Sequence, residues 1–373
     1  MITIRNVRTL DGEITHYTIP SSKNYEIEAN GKLVLFPAAI DPHISLGRVD
    51  SESWKLAIQS IIRGGVTSVI DIPSQITTHS SKAVVEENRQ RFAKLLSKLE
   101  IPITYLNYLL YSQDNLGDIG QIGLEKNDVK GVAIHFDVNS LEPLNDDWEG
   151  LFRLAAQEDL PIIINAFNEN LKEFPVKNEQ GASLLESALY YTEKWSNRLH
   201  VLNISTQNEI DLIKRAKKKS LLVYAETTPE HLFAQNSSKS DLLWNALNEQ
   251  SIDMIGSGYN INQQNQERVV FNGSNFSLLD PIFLLPFLLT AVQEEKISID
   301  KVVLLTSLNA RDIFELPPNH DFVLIDLDKE QTVHRRKESH STDLKLRGWP
   351  SYTICQGEVF SPPHIGYGLI HKS

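Results

Sequence analysis

The chain has 373 residues, 41% hydrophobic and 23% charged, with a formal net charge of −12. That balance suits a folded protein with a sizeable core and argues against nucleic acid or an anionic membrane as the main partner, because both call for a basic face. The single Cys355 excludes an internal disulfide and a cysteine-based zinc cluster and fits a reducing, cytoplasmic setting.

Taken from its first residue, the sequence shows no apolar secretory segment in MITIRNVRTLDGE. Residues 1–32 alternate in short apolar–polar stretches broken by Asp11-Gly12 and Asn30-Gly31, the pattern of a small antiparallel β unit. From Leu33 the rhythm becomes strand then helix. Leu33–Phe36 reads as the first barrel strand, turning at Pro37 into Ile40-Asp41-Pro42-His43-Ile44-Ser45. Helices are expected at 51–63, 82–99, 146–157, 182–195, 207–218, 241–248 and 280–293. The intervening strands are expected at 66–72, 103–110, 131–136, 161–165, 199–204, 221–225 and 252–256. The apolar run Pro281–Val292 contains Pro286 and is too short to span a bilayer. A polar loop is expected over Asn260–Asn275, a helix near Ile299–Phe314, and strands at Phe322–Ile325 and Tyr352–Val359 flanking a solvated loop at Lys329–Leu346.

Eight strands, most backed by a helix, give the count of a (β/α)8 TIM barrel. The rival open doubly wound sheet would usually carry a glycine-rich phosphate turn after its first strand, and none is present. The expected organisation is a barrel over 33–319 beside a small composite β domain formed by the N- and C-terminal segments, 1–32 and 320–373.

Barrel chemistry sits at the C-terminal strand ends. In order these offer His43 and Ser45, Ser74, His135, Asn165, Asn203, Glu226 and Gly258. A hydrolytic zinc pair needs several imidazoles and carboxylates converging around a water whose pKa they lower. This rim has two imidazoles, and a lone histidine is more often a hydrogen-bonded barrel residue than a ligand. Asn165 and Asn203 each end an apolar run and are expected to hydrogen-bond each other. Arg48 has the fork that grips a carboxylate. Glu226 and His231 could pair as acid and base, although Thr228-Pro229-Glu230 reads more simply as the start of a short helix. Neither a nucleophile-elbow nor a zinc-protease nor a phosphate-loop motif is present.

Several segments, in order, resemble the dihydroorotases and their hydantoinase-like relatives in the amidohydrolase superfamily. GKLVLFPAAIDPHISLGR is similar to the family's first-strand segment, which ends in a His-x-His pair, and RGGVTSVIDIPSQ to its G-G-V-T…M-P-N stretch. RLHVLNIST, YAETTPEHLF and SIDMIGSGYNIN resemble the family's L-H-x-x-H, A-E-x-T-P-H-H-L and T-D-H-A-P-H segments, and YTICQGEVF its closing strand. The resemblance implies the barrel fold and denies the usual mechanism. Of the paired first-strand histidines His43 is kept and the second falls on Ser45. The bridging lysine or aspartate falls on His135, the strand-five and strand-six histidines on Asn165 and Asn203, the catalytic aspartate on Gly258, and the next histidine on Tyr259. The substrate arginine falls on Gly47, beside Arg48, and the substrate asparagine on Ser74. The family's N-P-P-L-R stretch is missing.

The expected function is therefore a dihydroorotase-like protein that has lost metal-dependent cyclic-amide hydrolysis. It would act as a structural or regulatory partner, with aspartate carbamoyltransferase of pyrimidine biosynthesis the partner the resemblance suggests, and as a homodimer. The alternative is a divergent hydrolase of a cyclic-amide C–N bond with a rebuilt site, metal-free or holding one weakly bound zinc at His43 and His135. Arg48, Ser74, Asn165, Asn203 and Tyr259 are the candidate ligand-binding residues. No cofactor is expected on the first reading.

Overall fold

A computed structural model describes residues 1–47, 49–72, 82–111, 117, 119, 129–134, 147–165, 184–233, 237–262, 268–272, 274–335 and 343–361. Two compact units emerge: Met1–Val69 with Arg91–Thr104 and Gly256–Ser373, and Ile70–Gln90 with Tyr105–Ile255.

In the first unit the two ends of the chain share one sheet. Ile2–Arg8 pairs antiparallel with Ile14–Ile19 and parallel with Tyr25–Glu28. Its last residue, Arg8, meets Val34 of Leu33–Pro37. Leu33–Pro37 then runs antiparallel to the start of Phe322–Arg335, with Phe36 opposite Val323 and Leu33 opposite Asp326. Leu344–Cys355 and Glu358–Phe360 complete the ladder. The alternating apolar residues of these strands meet on one side: Ile2, Ile4, Ile27, Leu324, Ile354 and Val359 are packed together and buried. Tyr25 Oη donates to Glu358 Oε2 at 2.7 Å, a direct tie between the two ends of the sequence.

Three readings of the sequence need correction here. Leu33–Pro37 belongs to this composite sheet, and the strand that carries His43 is the following one, Ala39–Ser45. Both stretches are buried on both faces, so their apolar run looked continuous; the transfer occurs at Pro37-Ala38, where Ser307 Oγ donates to the Ala38 carbonyl at 2.9 Å. The expected loop at Lys329–Leu346 is largely strand, continuing to Arg335 and resuming at Leu344. Its arms are solvated, so charged pairs such as Arg347 Nε on Glu330 Oε2 at 2.7 Å replace an apolar alternation, with Val333 and Leu346 the buried side chains among its described residues. The expected polar loop over 260–275 contains a hairpin, Arg268–Phe271 against Ser274–Ser277. Phe271 stacks on Trp349 with ring centroids 4.8 Å apart, which anchors the hairpin to the sheet.

Helix Ser51–Arg63 starts where the sequence suggests, because Asp50 accepts from the Glu52 and Ser53 amides, both at 2.9 Å. The apolar run near the C-terminus is a short 3₁₀ turn, Pro281–Phe283, leading into helix Leu284–Gln293, most of it buried as core. Among the described residues no helix is long and apolar enough to cross a membrane.

The second unit is a regular alternation. Strands Thr104–Leu110, Val129–Ile134, Ile162–Asn165, Leu199–Leu202, Val223–Thr227 and Met254–Ile255 lie side by side in chain order, all parallel. Helices Asp147–Gln157, Leu184–Trp195, Gln207–Lys218 and Ser237–Asn248 connect the later ones. The apolar strands carry few polar positions, as expected of a parallel sheet covered on both faces. Thr206 and Glu209 form a reciprocal capping box at the start of Gln207–Lys218.

Candidate functional site

The strand ends of the second unit carry the two asparagines. Ile162–Asn165 and Leu199–Leu202 run in register, with Leu202 opposite Asn165. The next residue, Asn203, turns the chain at φ +57°, a conformation that asparagine tolerates better than most residues. Its Nδ2 donates to Asn165 Oδ1 at 3.2 Å. The expected mutual hydrogen bond is present.

Below this pair lies a residue that the sequence reading passed over. His200 is fully buried, and its Nε2 stands 3.2 Å from Oε2 of the equally buried Glu226 on the neighbouring strand. A histidine inside the run Leu-His-Val-Leu was the available signal. Glu226 thus has His200 beside it on the neighbouring strand. Thr228 does occupy the cap position of the short helix Pro229–Leu232, with Pro229 in its first turn, but makes no side-chain capping bond. Nearby, Asp253 accepts from the Ala225 amide at 2.8 Å, and both its oxygens lie on Lys217 Nζ at 2.6 and 2.7 Å. Burial raises the Asp253 carboxyl above its ordinary value, and Lys217 opposes that shift. Tyr105 Oη donates to Asp71 Oδ2 at 2.6 Å; burial first, then the Asp71 charge, pushes the phenol well above its usual range.

In the first unit, Asp41, His43 and Ser45 alternate along Ala39–Ser45 and so share one face. Asp41 is fully buried, and its Oδ1 accepts from the His43 amide at 3.2 Å and the Ser257 amide at 2.9 Å. Gly258, at φ +68°, donates its amide to the His43 carbonyl at 3.0 Å. The short strand Tyr259–Asn260 lies parallel to this one, with Tyr259 opposite Ile44 and Asn260 opposite Ser45. Paired residues in a sheet project to the same side. Asn260 therefore shares the His43–Ser45 face, and Tyr259 shares that of Ile44.

The structure brings Asn165 and Asn203 together and places His43 and Tyr259 on opposite faces of paired strands. Arg48, Ser74 and His135 lie outside the described residues. Among the described residues, no three His, Cys, Asp or Glu side chains are grouped as a metal site would need. The donors present suit a zinc pair poorly: two amides bonded to each other, a serine hydroxyl and a glycine offer neither imidazole nor carboxylate.

No family model matches the chain. Along 92% of its length it is 22% identical to a dihydroorotase of Methanosphaera stadtmanae, spanning 89% of that protein. Among solved structures, a dihydropyrimidinase from Brevibacillus agri superimposes with a TM-score of 0.74 over 96% of this chain and 94% of that one, at 16% identity. An inactive dihydroorotase-like domain of a CAD-like multifunctional protein from Chaetomium thermophilum gives a TM-score of 0.66 over 88% of this chain and 94% of that one, at 19% identity. The fold is accordingly a (β/α)8 barrel with an appended β domain.

Proposed function

We propose that the chain, which is similar along most of its length to dihydroorotases and hydantoinases, is a non-catalytic member of that group which acts as a structural or regulatory partner of another protein. The observation that carries this reading is the amide pair, Asn203 Nδ2 on Asn165 Oδ1 at 3.2 Å. A zinc ligand offers a lone pair to the metal, and imidazole does so far better than an amide oxygen already engaged by a neighbour's N–H. Ser45 and Gly258 add to the same conclusion, since neither supplies the imidazole or the carboxylate base that hydrolysis by a metal-activated water requires. On this reading the protein holds no tightly bound metal. Restoring activity would take several simultaneous changes, because each lost group removes part of the stabilisation of the same transition state.

The inactive dihydroorotase-like domain from Chaetomium thermophilum supports the reading: the scaffold is retained in a multifunctional chain without activity. Aspartate carbamoyltransferase is the first partner to test, and a homodimer the expected assembly.

Elemental analysis of protein expressed with added zinc is expected to give less than about a tenth of an equivalent, in keeping with the missing ligands. Dihydroorotate, dihydrouracil and hydantoin should not be hydrolysed above background, and co-purification with aspartate carbamoyltransferase from the same cells should yield a stable complex. About one equivalent of zinc together with metal-dependent ring opening would overturn the proposal and point to a rebuilt hydrolase.

A further inference from the structure

In the composite sheet, the ladder between Phe322–Arg335 and Leu344–Cys355 is broken in two places. Leu324 stands opposite Tyr352 but Ile325 opposite Pro350, so Ser351 is one residue too many on its strand. Further along, Asp326 stands opposite Trp349 and Glu330 opposite Arg347, so Leu327, Asp328 and Lys329 together face Gly348 alone. An extra residue in an antiparallel ladder gives up a pairing and re-aims its side chain, and such breaks collect beside functional sites.

These two breaks border a cavity of about 370 Å³, within the size range of small-molecule sites. Ser351 and Lys329, one from each break, line it together with Asn30, Tyr352 and Ser361. Their side chains offer an ammonium, three hydroxyls and an amide. Among the described residues, no hydrogen bond or ion pair engages any of the five. The other charged groups of the cavity are already matched. Lys32 Nζ lies 2.7 Å from Asp326 Oδ2 and also feels the Asp328 charge. Glu28 Oε1 accepts from the Asn30 amide at 2.8 Å and from Asn6 Nδ2 at 3.0 Å, and these bonds, with the Arg5 charge, hold its carboxyl below the ordinary range. Lys329 is the cation left over. A cation ringed by donors calls for an anion with several acceptor oxygens, and the three terminal oxygens of a phosphate take up more of these donors than the two of a carboxylate. The buried Ala29 and Leu33 give the same cavity an apolar wall.

We infer that this cavity binds the phosphate monoester of a small organic molecule, with Lys329 Nζ and the hydroxyls of Ser351, Tyr352 and Ser361 on the phosphate and the Ala29–Leu33 wall against the organic group. The composite sheet then has a ligand of its own, whether or not the strand ends retain chemistry.

The test is calorimetric titration of the full chain, at fixed ionic strength, with phenyl phosphate, inorganic phosphate and benzyl alcohol. Phenyl phosphate is expected to bind saturably, inorganic phosphate more weakly, and benzyl alcohol not at all. Lys329→Met is expected to weaken phenyl phosphate binding about 10-fold or more, the worth of one charged hydrogen bond, and Ser351→Ala about 3- to 10-fold. Lys329 is exposed, so its replacement leaves the fold intact. Lys219→Met removes a surface cation elsewhere, one paired with Glu193 at 2.8 Å, and is expected to leave the affinity unchanged. No saturable binding of phenyl phosphate by about 10 mM, weak even for a ligand of this size, would overturn the inference. So would unchanged affinity in both Lys329→Met and Ser351→Ala, or a loss in Lys219→Met equal to that in Lys329→Met, which would mark bulk charge alone. Benzyl alcohol binding as tightly as phenyl phosphate would remove the phosphate from the assignment, and inorganic phosphate binding as tightly would remove the organic group; either result overturns the monoester.

Discussion

The buried pair His200–Glu226 offers a sharp test of how the second unit is held together. Both side chains are fully buried, and their closest atoms are 3.2 Å apart on adjacent strands. Removing one partner of a buried ion pair typically costs about 3–5 kcal/mol, whereas replacing both by apolar residues of similar volume is often neutral or stabilising. Glu226→Ala is therefore expected to lower the unfolding free energy by about 3–5 kcal/mol, a large part of the roughly 5–15 kcal/mol that a folded domain usually has. Glu226→Gln keeps the shape and should cost less. The double variant His200→Leu/Glu226→Met should come within about 1–2 kcal/mol of the parent protein. Urea unfolding followed by far-ultraviolet circular dichroism on the parent, His200→Leu, Glu226→Met and the double variant closes the cycle. If the two single substitutions simply add in the double variant, the pair is not coupled and its assignment as a structural unit is wrong. Asp253 and Lys217 lie close enough to contribute, since the Asp253 carboxyl senses His200, so both stay unchanged throughout the cycle.

Two further outcomes follow from packing and titration. At Gly131, φ is +150°, and an added Cβ would sit 2.3 Å from Ile163 Cδ1 and 2.6 Å from the Pro161 carbonyl. Gly131→Ala should destabilise the second unit by several kcal/mol, about the scale of an overpacked core, and a urea midpoint equal to that of the parent would contradict the close approach. Asp321 accepts from the Gln356 amide at 2.7 Å, yet burial pushes its carboxyl above the ordinary range. A raised carboxyl means that the native state holds its proton more firmly than the unfolded chain does. The resulting stabilisation is complete below the unfolded value of about 3.9 and is lost as pH rises through the native one. Urea midpoints should therefore show an Asp321-dependent fall in stability as pH rises above about 4, smaller in Asp321→Asn. An identical slope in the two proteins would refute it.

Much of the fold was legible because its signals are local. Helices 51–63, 82–99 and 207–218 begin and end where periodicity places them, and the cap residues Asp50 and Thr206 lie immediately before the first and last of these. The misread stretches lacked such signals. Leu33–Pro37 and Ala39–Ser45 are both apolar on both faces, and such a strand reads the same in a composite sheet as in a barrel. The arms running through Lys329–Arg335 and Leu344–Leu346 are solvated, so their strand character rests on pairing across the hairpin, which a linear sequence does not display. At 268–277 the Asn-Gly dipeptide in the sequence Val-Val-Phe-Asn-Gly-Ser-Asn-Phe was a usable hairpin signal. In the site, the Asn165–Asn203 bond was foreseeable because both residues end apolar runs on neighbouring strands. Asn260 was not, because its face depends on whether it stands opposite Ile44 or Ser45, a register shift of a single residue.

The same residues explain how a barrel of this kind can keep its strand ends in place under the proposed reading. A bound metal would clamp several strand ends at once, and a structural zinc supplies on the order of 10 kcal/mol or more to the element it holds. One amide–amide bond such as Asn203–Asn165 contributes about 1 kcal/mol and does not replace that. The substitution becomes tolerable because the surrounding ties are many and independent. Asp41 fastens Ser257 to the His43 strand, Ser45 and Ile261 exchange a backbone bond, and Asp253 joins Ala225 to Lys217. Each tie lies within one strand pair or one strand–helix contact, and none requires a ligand at the strand ends. On the proposed reading, ties of this kind within each unit keep strand ends in place after the groups that performed chemistry are lost.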